Sequence, residues 1–202
     1  MIKNIIFDWG GVLIHLDKNR CNEAFLQLGA KVGDELSNPY GQRANLMDFE
    51  RGMMSTDEFH DTVRRIYGEH LTDEQIDHAW NALLAGIPTY KLDTLLELKQ
   101  RYRLFLLSNT NAVHWQEGRK QFDYKGHKAE DFFDQIFLSN ELHELKPSPE
   151  IFRKVAQLAG IEPETLFVDD LQASCDAAAT LGFHTYCPVA NSDWRLELKI
   201  EN

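Results

Sequence analysis

Cysteine is scarce in this chain: Cys21, Cys175 and Cys187 are three among 202 residues, an odd number with no CxxC spacing. That excludes a disulfide framework and a cysteine zinc site, and it fits a reducing compartment. Positive charge is also short. Lys and Arg total 21 against 32 Asp and Glu, for a formal net charge of −11. Nucleic acid and an anionic membrane are therefore poor partners. No apolar run approaches the roughly 18 residues that a membrane-spanning helix needs. The opening MIKNIIFDWGGVLIHLD is only briefly apolar. Asp8 and Asp17 interrupt it and no A-x-A-like cleavage site follows, so it reads as a strand, not a signal peptide. Repeats and low-complexity segments are missing as well. What remains is the expectation of a cytoplasmic, soluble, enzyme-sized chain, 43% hydrophobic, with one sizeable core and room for a small second module. The acidic balance sets one condition: an anionic substrate needs a local cation.

The apolar residues are grouped into short runs. Lys3–Phe7, Leu104–Leu107, Gln135–Leu138 and Thr165–Val168 are dense in Ile, Leu, Val and Phe and end at polar or glycine residues, as buried strands do. Thr185–Cys187 is a weaker fifth. Helical patterns lie between them: Thr89–Arg101, Glu117–Phe122, Pro149–Ala159 and Ala173–Leu181. Strands alternating with helices predict an α/β fold, a doubly wound parallel sheet. The stretch 16–88 differs. Asn19–Leu28, Leu46–Arg51, Thr56–Tyr67 and Thr72–Leu83 are amphipathic, and two begin with a hydroxyl followed by acids, a helix-start signature. Gly29, Gly33, Pro39 and Gly41 mark a loop there. No strand signal is legible in it. The expected organisation is a core of 1–15 plus 89–202, with an all-helical insert at 16–88 after the first strand.

Open parallel sheets bind ligands beyond the carboxyl ends of their strands. Asp8-Trp9-Gly10-Gly11-Val12 follows the first strand and Ser108-Asn109-Thr110-Asn111 the second. Leu145-Lys146-Pro147 lies past the third, and Asp169-Asp170 follows the fourth. The inventory is three carboxylates, one cation, a hydroxyl, an amide and a glycine pair. Clustered carboxylates repel one another unless a cation sits among them. A hard divalent ion with oxygen ligands, such as Mg2+, is the simple answer. Phosphate would complete its shell, with Lys146, Ser108 and backbone N–H groups on the other oxygens. A carboxylate held against such a phosphate can attack phosphorus and form an aspartyl-phosphate.

These motifs, in this order, resemble those of the haloacid dehalogenase superfamily: Asp8-Trp9-Gly10-Gly11-Val12, Leu107-Ser108-Asn109, Lys146 before Pro147, and Phe167-Val168-Asp169-Asp170 followed by Ala177-Ala178. The resemblance spans nearly the whole chain. It implies a Rossmann-like core with a helical cap closing over small, soluble phosphorylated metabolites, sugar phosphates above all. It also implies roles. Asp8 would be nucleophile and metal ligand, and Gly10 would offer its backbone carbonyl to the metal. Asp170 would ligate directly, Asp169 directly or through water. Ser108 and Asn109 would bind phosphate, and Lys146 would bridge phosphate and Asp8. The expected state is a monomer or weak homodimer.

Two positions depart from the family pattern. Most of its phosphatases carry a second Asp, a general acid, where this chain has Gly10; such help is typically worth about 10²–10⁴-fold. Ser174 stands where Asn is frequent, with little chemical consequence expected. The extended Ser108-Asn109-Thr110-Asn111 with His114 resembles the α-glucose-1-phosphate phosphatase-like subgroup. His15 and His114 are weaker site candidates, His114 as a substitute acid, though a structural histidine is the plainer reading. Trp9 is a candidate pocket wall, and Arg43, Arg51 and Trp80 are candidate substrate contacts. Two rival functions remain: 2-haloacid dehalogenation, which needs no metal, and a binding or regulatory role without turnover.

Overall fold

The computed structural model describes residues 1–29, 44–161, 164–196 and 198. Its elements, in chain order, are β1 (Asn4–Phe7), β2 (His15–Leu16), α1 (Lys18–Gln27), α2 (Ala44–Glu50), α3 (Thr56–Tyr67), α4 (Asp73–Asn81), β3 (Leu84–Gly86), α5 (Thr89–Leu98), β4 (Arg103–Ser108) and α6 (Ala112–Gly118). A 3₁₀ turn, Arg119–Phe122, then leads to α7 (Ala129–Phe132), β5 (Gln135–Leu138), α8 (Ser139–Leu142), α9 (Pro149–Ala159), β6 (Thr165–Val168), α10 (Gln172–Ala179) and β7 (His184–Tyr186).

Five strands form one parallel sheet in the order β5-β4-β1-β6-β7. Burial explains its composition. Every residue of β1 and β6 is buried, because helices cover both faces. One face packs on Leu92, Leu95, Phe122, Phe132 and Trp194. The other packs on Ile151, Phe152, Val155, Cys175 and Ala178 from α9 and α10. β1 is central, so the chain leaves the middle of the sheet directly at Asp8, where the strand order reverses between β4 and β6.

Helices α1–α4 have their own core, built of Cys21, Phe25, Phe49, Phe59, Val63, Ile76, Ala79 and Trp80, joined by Val113 of α6. Of the two capping hydroxyls read from sequence, Thr72 acts as such, closing a capping box with Gln75, whereas α3 is capped one residue earlier than expected, by Ser55 with Glu58, and Thr56 is its first helical residue. A ladder of rings runs from Phe49 through Phe59 (4.3 Å) and Trp80 (5.1 Å) to His114 (5.1 Å), tying these helices to α6.

Several expectations need correction. The stretch 16–88 is not strand-free: β2 and β3 form a two-stranded antiparallel ribbon, pairing His15 with Gly86 and Leu16 with Leu84. Two- and three-residue strands are too short to show alternation, and distant pairing makes them. The helix expected at Glu117–Phe122 begins earlier, at Ala112, capped by the Asn111 side chain, and its end is 3₁₀. Helix α5 stops at Leu98, short of Arg101. The four-residue helices α7 and α8 are too short to show a readable periodicity. Gly33, Pro39, Gly41 and Arg43 lie outside the described residues. Among the described residues, no helix is long and apolar enough to cross a membrane.

Candidate active site

Asp8 is the first residue past β1, and its N–H donates to the Val168 carbonyl (2.8 Å), extending the β1–β6 ladder by one bond. Asp169 and Asp170 leave β6 at the same level. Carboxylate oxygens of Asp8, Asp169 and Asp170 lie within 4.8 Å of one another. Lys146 enters from the loop before α9, and its ammonium donates to Asp8 Oδ1 (2.7 Å), Asp169 Oδ2 (2.6 Å) and the Leu107 carbonyl (3.1 Å). All three of its protons are used.

The electrostatics follow from burial. Asp8 is 7% exposed. Burial pushes its carboxyl up to about 7, with Lys146 opposing and Asp169 and Asp170 adding to the rise. Asp170 is raised by burial and by Asp169 beside it. Burial alone would lower Lys146, but Asp8 and Asp169 hold it well above the usual lysine range. One ammonium thus faces three carboxylates. The surplus of negative charge, in an all-oxygen donor set, suits a hard divalent cation.

The four residues differ in what they leave available. Both oxygens of Asp169 are engaged: Oδ2 accepts from Lys146, and Oδ1 accepts from the Leu171 N–H (2.8 Å). Asp169 is fully buried, so it anchors Lys146 and the β6 turn. Asp170 is partly exposed and lies against Gly11, where an added Cβ would stand 2.6 Å from Oδ2. Gly11 also has φ +77°, in the left-handed region. Only glycine meets both demands there.

The Asp8 loop is braced by residues that sequence reasoning passed over. The Val12 carbonyl accepts from Lys91 Nζ (2.6 Å) and from Trp194 Nε1 (2.9 Å). The Trp9 carbonyl accepts from the Leu13 and Ile14 N–H groups. Lys91 is fully buried, and burial lowers its ammonium to about 8. Its helix has the pattern of ordinary amphipathic surface, and no local signal marks an inward lysine. Asn191 holds the backbone of Leu16 through both ends of its amide (2.9 and 3.0 Å).

Ser108 ends β4, 1% exposed, and its hydroxyl makes a long bond to the Asn109 carbonyl (3.4 Å). Asn109 is occupied elsewhere: its Nδ2 donates to the Lys146 carbonyl (2.9 Å) and its Oδ1 accepts from the Lys146 N–H (2.9 Å). Its side chain positions Lys146. Gly10 points its missing side chain at Leu16, whose Cδ1 would be 3.0 Å from an added Cβ.

The outlying candidates lie in structural roles. His114 accepts from Asn111 Nδ2 at Nδ1 (3.4 Å) and donates from Nε2 to the Trp80 carbonyl (3.2 Å). Burial lowers it to about 3, so it is neutral and both nitrogens are committed. It joins α6 to α4, with no proton left to give a leaving group. His15 is lowered by burial and by Lys91. Trp9 is buried edge-on to Trp115 at 5.4 Å, and Trp80 is buried in the ring ladder. Arg51 is exposed beside Asp48 (3.9 Å). Ser174 is buried in α10.

Comparison with known proteins points to one family. The model of a family of haloacid dehalogenase-like hydrolases matches residues 2–182. A D-ribitol-5-phosphate phosphatase of Bacteroides thetaiotaomicron is 36% identical over 203 residues, 99% of this chain and 98% of its own. The crystal structure of a HAD family enzyme from that organism, wild type with magnesium and inorganic phosphate, superposes with a TM-score of 0.92. It is 43% identical, covering 98% of this chain and 100% of that one. A predicted HAD-like hydrolase of Porphyromonas gingivalis gives 0.88 at 36% identity, over 99% of this chain and 100% of its own.

Proposed function

The chain belongs to the haloacid dehalogenase-like hydrolase family, and from that membership we propose that it is a magnesium-dependent phosphomonoester hydrolase. Its substrates are small phosphorylated polyols or sugars, and Asp8 is its nucleophile. The observation that carries the reading is the cluster of Asp8, Asp169 and Asp170 within 4.8 Å around one buried lysine. A relative named as a D-ribitol-5-phosphate phosphatase along almost its whole length supports the substrate class. A neighbour holding magnesium and inorganic phosphate supports the ion.

Asp8, Asp170 and the Gly10 carbonyl are the ligands we assign to magnesium, with Asp169 behind them. When bound, the ion supplies charge that neutralises phosphate oxygens and keeps Asp8 ionised. This chain's residues do the rest. Lys146 fixes one Asp8 oxygen at 2.7 Å, leaving the other to face phosphorus. Attack forms the aspartyl-phosphate on Asp8 as the ester P–O bond breaks, the leaving oxygen takes its proton from solvent water and departs as the alcohol, and a second water then cleaves the phosphoryl group from Asp8, releasing phosphate. Ser108 sits where its hydroxyl can turn to a phosphate oxygen, while Asn109 holds the Lys146 loop in register. Helices α1–α4 form the cap over this site.

The 2-haloacid alternative needs no metal and leaves Asp170, in the carboxylate cluster with Asp8, without a purpose. The test is phosphate release from a panel of alditol, aldose and nucleoside phosphates. The reading predicts magnesium-dependent turnover with alditol or sugar esters ranked first by kcat/KM. Halide release from 2-chloropropionate in EDTA, without phosphate release from any ester, would overturn it.

A further inference from the structure

Two of the three cysteines meet behind Asp169. Cys175, in α10, is 1% exposed and packs among Ile151, Phe152, Phe167 and Ala178. Cys187, the first residue past β7, is half-buried against the same cluster. The two thiols are hydrogen-bonded to each other, and both are free. The backbone gives the same placement. Cys175 Sγ lies 3.7 Å from the carbonyl oxygen of Tyr186, the residue whose peptide bond leads into Cys187. Cys21, the third cysteine, is buried in the cap core.

This pair touches the backbone that holds Asp169. Cys175 Sγ donates to the Asp169 carbonyl (3.4 Å), and the Tyr186 carbonyl accepts from the Asp169 N–H (3.2 Å). Asp169 in turn ties down Lys146 through Oδ2 (2.6 Å), and Lys146 fixes Asp8 (2.7 Å). The thiols are thus linked to the proposed nucleophile through two buried side chains. Close-packed interiors transmit such local displacements.

We propose that Cys175 and Cys187 are a redox pair, closed by peroxide into a disulfide that lowers the phosphatase activity and reopened by thiols. This rests on the phosphatase reading. Cys187, the more exposed thiol, meets the peroxide first. Its sulfur attacks one peroxide oxygen and the O–O bond breaks, giving a sulfenic acid and one water. The Cys175 sulfur then attacks the Cys187 sulfur, the S–O bond breaks, and a second water leaves with the Cys175 proton. The two thiols have given two electrons to one peroxide. A disulfide needs its Cβ atoms about 3.5–4.5 Å apart, and thiols already in contact need little movement to meet that. Closure removes the proton that Cys175 donates to the Asp169 carbonyl and draws its sulfur toward Cys187. The turn that aims Asp169 at Lys146 then loosens. Burial raises Cys187 and pushes Cys175 up to about 12, and thiols so placed react slowly. The pair therefore answers sustained oxidant and otherwise stays open.

The experiment treats the folded full chain, in magnesium, with hydrogen peroxide. Cysteine peptides are mapped by mass spectrometry without reduction. Hydrolysis of p-nitrophenyl phosphate is followed before treatment, after it, and after dithiothreitol. Wild type should yield a peptide joining Cys175 to Cys187 and lose on the order of tenfold in kcat, as when a residue supporting a metal site is displaced. Dithiothreitol should separate the peptides and restore the rate. Cys187→Ser should start at the wild-type rate and keep it through the same treatment. No joined peptide, one joined through Cys21 instead, a joined peptide with an unchanged rate, or an equal loss in Cys187→Ser overturns the inference and leaves the phosphatase reading intact. No phosphate released by the reduced wild type from this or any other ester overturns both.

Discussion

His114 is the residue whose placement most changes what the sequence implied. Set near the phosphate loop, it resembles a stand-in for the acid absent at Gly10. Its ring instead lies flat on Trp80 with both nitrogens in hydrogen bonds, and burial holds it near 3 against an ordinary 6.5. It therefore stays neutral in the fold, whereas in the unfolded chain it takes a proton below about 6.5. The unfolded state binds more protons across that window. Stability from His114 is complete above 6.5 and is lost as pH falls toward 3, by up to about 1.4 kcal/mol per pH unit. Urea unfolding between about pH 6.5 and 4.5 should show a steeper loss for wild type than for His114→Gln. Parallel pH profiles would contradict the neutral, buried assignment. The carboxylates are easier to read than the histidine, because two adjacent acids after an apolar strand leave few structural alternatives. Asn109 shows the opposite: the motif names it, but only the folded chain reveals that both ends of its amide serve the Lys146 backbone.

At the scale of elements, legibility follows burial. β5 (Gln135–Leu138), β6 (Thr165–Val168), α3 and α9 lie where their patterns predict, because an apolar run or a strong amphipathic stripe meets one packed face. The β2–β3 ribbon has no such signal. Its residues are chosen by pairing between His15 and Gly86, far apart in the chain, and by Asn191 clamping Leu16, not by local pattern. Nor does α8 show, a four-residue helix that matters because α2 docks on it. That docking rests on Gly52, at φ +68° against the Asn140 carbonyl. Gly52→Ala adds left-handed strain and a backbone collision, a combination expected to cost at least about 2 kcal/mol. Chemical denaturation should show this loss, and KM for the preferred ester should rise with it as the α2–α8 seam opens. Wild-type stability and KM in Gly52→Ala would mean that the seam is not what seats α2.

For the whole molecule, the acidic balance and the site form one problem. A net charge of −11 opposes an anionic substrate, and within the site one ammonium faces three carboxylates. That imbalance is legible in the sequence itself, since the motifs fall at the ends of a parallel sheet's strands. Which residues face the substrate is not, because that depends on how α2 and α4 lie on the core. The central claim is that Asp8 attacks phosphorus with magnesium beside it. The most direct test is phosphate release from p-nitrophenyl phosphate by wild type and Asp8→Asn, each in magnesium and in EDTA. The account predicts release by wild type in magnesium only, with Asp8→Asn reduced on the order of a thousandfold or more while still folded. Comparable release by folded Asp8→Asn, or wild-type release undiminished in EDTA, would contradict it.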